Sequence, residues 1–259
     1  MTYRLQPAAP ALASIASPHG STSGNVLIVT GRLPWALVQP GGRVDVRHRG
    51  EALPPARADV WRKRRPGSRW IGWTGLADRP EHDVRTEMDT RLRAAGVTAI
   101  HLSRGEVTGF YHRYSNGVLR AVLDDDGGGG AYASDWDAYR AVNARFADAI
   151  AAELRVGDLV WVHDYHLMLV PRLLRNECPW ARIHFFLHAP FPSVDTFARL
   201  PTALRLLDGV LGADAIEMRS AESVWNFLAA VNATRAYDTR STVIDDCGRA
   251  VCVYSSSKV

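Results

Sequence analysis

Two short apolar runs in this chain end in side chains that could bind a polar small molecule. Leu159-Val160-Trp161-Val162 is followed at once by His163-Asp164-Tyr165-His166, and Ile183-His184-Phe185-Phe186-Leu187 by His188-Ala189-Pro190-Phe191-Pro192. Each run reads as a buried strand, so the polar residues fall at its carboxyl end, where open α/β sheets bind their ligands. A carboxylate at Asp164 can accept hydrogen bonds from two hydroxyls of a sugar, and the imidazole of His188 can donate or accept. Proline lacks the N–H donor, so the stretch after His188 cannot continue a strand and His188 stands at a strand-to-loop break. Plain structural readings stand beside these: Asp164 as the N-cap of a helical segment beginning near His166, and His188 as a histidine bonded to neighbouring backbone. The histidines His163, His166, His184 and His188 do not make a metal site, because His-x-x-His is too loose without a helix to align both rings. No cysteine or third ligand stands at a zinc spacing either. Arg32 follows another apolar run, and its forked guanidinium suits a phosphate; a surface arginine is the plain alternative.

The elements that must position these residues alternate along the chain. Asn25 to Thr30 reads as the first buried strand, Trp70 to Gly75 and Thr98 to Leu102 as two more, and Ala213 to Met218 as a weaker one. A long helix opens at Ser134 or Asp135, buries Trp136, Tyr139, Val142, Phe146, Ile150 and Leu154 on one face, and ends at Gly157. The strand to His163 precedes a helix through Leu167, Val170, Leu173 and Leu174, stopped by Pro179. The strand to His188 precedes a helix through Phe197, Leu200, Leu204 and Leu207, and Ser220 caps a last helix carrying Val224, Phe227 and Leu228. Gly41-Gly42 suits a hairpin turn. This alternation predicts an α/β fold, a mostly parallel Rossmann-like sheet with helices on both faces.

Composition excludes several classes. The 259 residues are 47% apolar and 22% charged, which is ordinary for a soluble globular domain. No apolar run is long enough to cross a membrane as a helix. Pro7, Pro10 and their polar neighbours argue against a secretory signal, and residues 1–24 read as a disordered tail. Cys178, Cys247 and Cys252 are odd in number and scattered, which fits a reducing cytoplasm. Lys63 and Lys258 are the only lysines, so the net charge of +4 rests on arginine. The cluster Arg57, Arg62, Lys63, Arg64, Arg65 and Arg69 beside Trp61 and Trp70 could suggest nucleic-acid binding, but such a run reads better as a solvated surface. Asp124 to Gly130 reads as a solvated linker, since no Gly-Lys-Ser/Thr follows it.

Five ordered blocks resemble the signature of trehalose-6-phosphate synthases, retaining glycosyltransferases of the two-lobed GT-B type. They are Gly31 to Pro34, Trp70 to Gly75, Tyr111 to Leu119, Val160 to Leu167 and Phe185 to Pro192. The resemblance covers residues 25–253, the single N-terminal lobe of such an enzyme. It implies glucosyl transfer from a nucleotide-glucose to glucose 6-phosphate, giving trehalose 6-phosphate without a metal or other cofactor. It implies that Asp164 holds the acceptor glucose, that Arg32 and Tyr111 bind its 6-phosphate, and that Trp73 lies near it. His188 would lie beside the transferred sugar, helping to stabilise an oxocarbenium-like transition state, with attack and departure on the same face.

The pattern also departs from that family. The family's Ser-x-Gly-Gly-Leu loop cradles the donor diphosphate, and its counterpart here is Arg49-Gly50-Glu51-Ala52-Leu53. Gly50 remains a donor-binding candidate, but Glu51 replaces the second glycine. Two like charges at 4 Å cost about 4 kcal/mol at an effective dielectric near 20, or roughly a thousandfold in affinity. Arg120 replaces an acceptor-site tryptophan and could still meet a phosphate. Ile216 to Ser220 replaces a typical Gly-Phe-Gln/His-Thr stretch at a position expected to line the ligand. After Val253 the family enters a second lobe, whereas residues 254–259 read here as a truncated tail. The expectation is an acceptor-side lobe that is inactive alone or dependent on hetero-association with a second lobe. The alternative is a non-catalytic sugar-phosphate-binding or regulatory partner of a full-length synthase.

Overall fold

The computed structural model describes residues 24–38, 45–48, 67–125, 133–235 and 242–256. Seven strands form one parallel array. They are β1 (Val26–Arg32), β4 (Arg69–Trp73), β5 (Val97–Ile100), β6 (Leu159–His163), β7 (Arg182–Leu187), β8 (Ala215–Met218) and β10 (Arg249–Ser255). An eighth, β9 (Val243–Asp246), pairs antiparallel with β10 at one edge, and the order across the sheet is β5-β4-β1-β6-β7-β8-β10-β9. β2 (Trp35–Val38) and β3 (Asp45–His48) form a separate antiparallel pair, with Val38 opposite Asp45. The turn predicted at Gly41-Gly42 lies outside the described residues.

The strand order matters for function. From β1 the chain moves outward through β4 and β5, then returns to the other side of β1 to lay down β6, β7 and β8. Connections therefore leave in opposite directions from the carboxyl ends of β1 and β6. That topological switch point opens a crevice between the two strand ends.

Alternation along the buried strands assigns the two faces. Leu27, Val29, Val160, Val162, Phe185 and Ile216 belong to the larger core. Against it pack α4 (Ala133–Glu153), α5 (Val170–Glu177), α6 (Val194–Ala198), α7 (Ala203–Val210) and α8 (Ala221–Arg235). Val26, Ile28, Trp70 and Trp161 belong to a smaller core closed by Met88 and Leu92 of α1 (His82–Ala94). The predicted arrangement, helices on both faces of a mostly parallel sheet, is the one observed.

Several elements differ from the sequence reading. The helix expected through Leu167 and Leu174 is a 3₁₀ turn, Tyr165–Leu167, followed by α5. The single helix expected through Phe197 and Leu207 is two helices, α6 and α7, and Leu204 is 53% exposed rather than core. Pro201 is the cause, since it removes an N–H and pushes Leu200 away from helical geometry. The block Tyr111 to Leu119 lies in a helix that periodicity did not reveal. α2 (Arg104–Glu106) and α3 (Arg120–Leu123) flank a π-helical stretch, Val107–Leu119, in which Arg120 N–H donates to Ser115 O. Such wide turns are rare and recur at functional sites. A capping box starts the helix: Ser103 Oγ accepts from Glu106 N–H, and Glu106 accepts from Ser103 N–H at 2.8 Å.

Candidate functional site

At the end of β1 the backbone passes very close to the β6 loop. A Cβ on Gly31 would lie 2.7 Å from Cβ of His166, so only glycine permits this approach. Arg32 is exposed and pairs in register with Trp73 of β4. Its guanidinium carbon lies 5.7 Å from the Trp73 ring, and a Cβ on Gly75 would sit 2.6 Å from its Nε. The guanidinium is thus laid over an aromatic ring.

An aromatic stack continues from there. Trp73 is buried and contacts Tyr111 at 4.9 Å between ring centroids. Tyr111 stacks on His166 at 5.4 Å and 17°, and His166 stacks in turn on Tyr165 at 4.2 Å. Burial pushes the His166 imidazole down to about 4, which Arg120 reinforces and Asp164 opposes. The ring is therefore neutral near pH 7. Burial, and the nearby charge of Asp164, push the Tyr165 hydroxyl up to about 12, and that hydroxyl donates to Asn116 Oδ1 at 2.9 Å.

Asp164 follows β6 directly and adopts φ 73°, ψ 168°, a region essentially reserved for glycine. Three contacts hold it there. Its carboxylate accepts from Tyr165 N–H at 3.0 Å, its own N–H donates to Phe186 O at 2.8 Å, and its carbonyl accepts from Leu167 N–H at 3.1 Å. The cap reading is thus realised, for a 3₁₀ turn over Tyr165–Leu167, and Asp164 is half-buried at the carboxyl end of β6.

The loop beyond Asp164 is clamped from α4. Tyr139 Oη donates to Tyr165 O at 2.7 Å and accepts from Met168 N–H at 3.1 Å. Asn143 Nδ2 donates to Tyr139 O and His166 O, and its Oδ1 accepts from Leu169 N–H at 3.2 Å. Sequence reading assigned Tyr139 to the core and passed over Asn143. The available signal was a polar residue four positions along an otherwise apolar stripe.

His188 lies just past β7. Its Nε2 is 2.9 Å from Nδ1 of His163, and the two rings are tilted by 21°. Burial drives both imidazoles below the usual range; for His163 the proximity of His188 and His184 adds to the effect. One strand further, Glu217 does not line an open site as its position in the sequence suggested. β8 turns it inward, where its carboxylate lies 3.2 Å from Nε2 of the fully buried His184, which also meets Tyr254 Oη at 3.0 Å.

The structure therefore brings Arg32, Trp73, Tyr111 and Asp164 into one contiguous group through His166 and Tyr165, and sets His188 on the adjacent strand. Arg120 is exposed, paired with Asp124 and close to Tyr165, at the rim of this group. Gly50 and Glu51 lie outside the described residues, as do Arg57, Trp61 and Arg62 to Arg65. Among the described residues no helix is long and apolar enough to cross a membrane.

Residues 25–257 match the family model of glycosyltransferase family 20. The chain belongs to that family. It is 35% identical over 211 residues to a trehalose-6-phosphate synthase of Mycobacterium sp. (strain JLS), covering 81% of this chain and 42% of that protein. It is 34% identical to an α,α-trehalose-phosphate synthase (UDP-forming) of Aspergillus niger, covering 83% of this chain and 46% of that one. Among solved structures it resembles the N-terminal domain of a Candida albicans trehalose-6-phosphate phosphatase, with TM-score 0.76, 28% identity and 90% of this chain and 48% of that chain covered. The chain thus spans under half the length of these relatives.

Proposed function

We propose that this family-20 glycosyltransferase chain supplies the acceptor lobe of a trehalose-6-phosphate synthase. One observation carries the reading: Arg32, Trp73, Tyr111 and Asp164, distant in sequence, converge on one switch-point crevice. A cation at one side and a carboxylate at the other match an acceptor with a phosphate at one end and hydroxyls along its body. In this reading the guanidinium of Arg32 takes the 6-phosphate of glucose 6-phosphate, with Tyr111 and Arg120 beside it, and Asp164 accepts from ring hydroxyls. Trp73 backs the Arg32 guanidinium, and His188 serves the donor sugar on the neighbouring strand.

Kinship with a UDP-forming enzyme makes a uridine diphosphate sugar the expected donor, with Gly50 on its diphosphate. The bond from glucose C1 to the diphosphate breaks as the acceptor hydroxyl attacks on the same face. A second lobe closing over the crevice would hold the donor and exclude water. The three cysteines are all unbridged, which accords with a reducing compartment such as the cytoplasm.

Titration calorimetry with glucose 6-phosphate tests the acceptor site. Saturable binding is expected, lost in Asp164→Ala and weakened roughly ten- to hundredfold in Arg32→Ala, the worth of a hydrogen-bonded charge. A well-folded chain that does not bind glucose 6-phosphate would rule the reading out.

A further inference from the structure

His163 is the residue whose surroundings the proposed reaction leaves unexplained. It is 5% exposed, closes the buried strand β6, and among the described residues its ring meets one hydrogen-bonding group, Nε2 of His188 at 2.9 Å from its Nδ1. Its other nitrogen, Nε2, is buried and has no hydrogen-bond partner among the described residues. Trp161 packs against the ring at 4.4 Å and Phe186 at 6.1 Å between centroids, so aromatic rings border it.

Only one proton can lie between the two histidines when both are neutral, which leaves two arrangements. If His188 Nε2–H donates, His163 must carry its own proton on Nε2, and a buried N–H is left without an acceptor. If His163 Nδ1–H donates, the buried Nε2 of His163 is a bare lone pair. Orphaned buried backbone N–H groups are rarer than under-satisfied acceptors, and the same preference applied to a ring nitrogen selects the second arrangement. His188 then accepts at Nε2 and carries its proton on Nδ1, for which no partner is recorded among the described residues.

We propose that His163 is a positioning residue that locks His188 as the Nδ1–H tautomer, making that nitrogen a fixed hydrogen-bond donor at the carboxyl end of β7. This rests on the reading of His188 as the donor-sugar residue and deepens it. A fixed N–H addresses an acceptor, such as a hydroxyl or phosphate oxygen of the nucleotide-sugar, and it cannot take the proton of the attacking hydroxyl at Nδ1. Burial keeps both rings neutral near pH 7, against the opposing charges of Asp164 and Glu217 on His188.

The imidazole ¹⁵N spectrum of the 259-residue chain, labelled at histidine, reads the tautomer without any ligand. The His188 signals, assigned by their loss in His188→Gln, should be pyrrole-type at Nδ1 and pyridine-type at Nε2. In His163→Phe, which keeps a ring against Trp161 and Phe186, they should exchange toward the Nε2–H form that an unrestrained imidazole prefers. In His163→Asn, whose amide N–H can stand where Nδ1–H stood, they should keep the wild-type pattern. His163→Val takes the place of the phenylalanine variant if that chain does not fold. A pyrrole-type Nε2 in the wild type, or a pattern unchanged by losing the His163 nitrogens, overturns the inference. Glucose 6-phosphate binding alongside a free tautomer would overturn this inference alone, and a locked tautomer without binding would overturn only the acceptor-site reading.

Discussion

Asp164 combines two demands that conflict. Its backbone sits where glycine is at ease, at φ 73°, while its side chain is the one carboxylate placed at the crevice end of β6. A residue held in this region costs of order 1–3 kcal/mol and persists only where its surroundings over-determine it. Asp164→Gly should therefore be more stable than Asp164→Ala by about 1–3 kcal/mol in urea denaturation, because only glycine relieves the strain. Both variants should lose glucose 6-phosphate binding. Equal stability of the two would show that Asp164 is not strained. The buried imidazoles set a pH dependence at the same scale. His166, lowered to about 4, and His163, also lowered, stay neutral in the fold where the unfolded chain takes up protons near 6.5. The unfolded state binds more protons in that interval, so stability is full above about 6.5 and declines as pH falls toward 4. Denaturation midpoints measured across this range should shift downward with acidification, and more weakly in His166→Phe. A midpoint unchanged between pH 7 and 5 would contradict neutral buried rings.

At the scale of elements, the site depends on a helix that supplies none of the candidate site residues. α4 holds the loop from Tyr165 to Leu169 through Tyr139 and Asn143, and that loop aims Asp164 and His166. Asn143→Ala would strand the partly buried Leu169 N–H and His166 carbonyl, at a cost of roughly 1 kcal/mol. Calorimetry on this variant should show weakened glucose 6-phosphate binding although Asn143 touches no ligand. Unchanged affinity at reduced stability would assign Asn143 to folding alone. The π-helical stretch has a parallel role. Asn116 Nδ2 donates to Tyr111 O while Asn116 Oδ1 accepts from Tyr165, tying the helix that carries Tyr111 to the loop that carries Asp164.

For the molecule as a whole, the proposed function treats the strand ends of β1 and β6 as the acceptor half of a site whose donor half a second lobe would supply. The 259-residue chain should bind glucose 6-phosphate yet form no trehalose 6-phosphate from UDP-glucose, with product appearing when a second lobe is supplied in trans. Chromatographic detection of robust product from this chain alone would contradict the half-site. Product from the two lobes together would set it apart from a purely regulatory partner.

Much of this was legible in the residues themselves. Short apolar runs such as Leu159 to Val162, bounded by Gly157 and polar residues, read as buried strands, and alternation with amphipathic helices leaves few topologies. The positions of Asp164, His163 and His188 at strand ends follow from where those runs stop. Tertiary structure decided what local pattern cannot encode. The helix over residues 104–123 was hidden because Gly105, Gly109 and Gly117 weaken its propensity, and its wide turns blur the period of 3.6; packing against α4 sustains it. The stack from Arg32 through Trp73, Tyr111 and His166 joins four separate segments and exists only once β1, β4 and β6 are neighbours. Glu217 reads as a ligand-lining change in sequence and becomes the partner of His184, because the register of β8 beside β7 sets which face it meets. Local sequence specifies which strand ends carry polar groups. Which of those ends meet, and with what partners, is decided by strand order and register, which are properties of the assembled sheet.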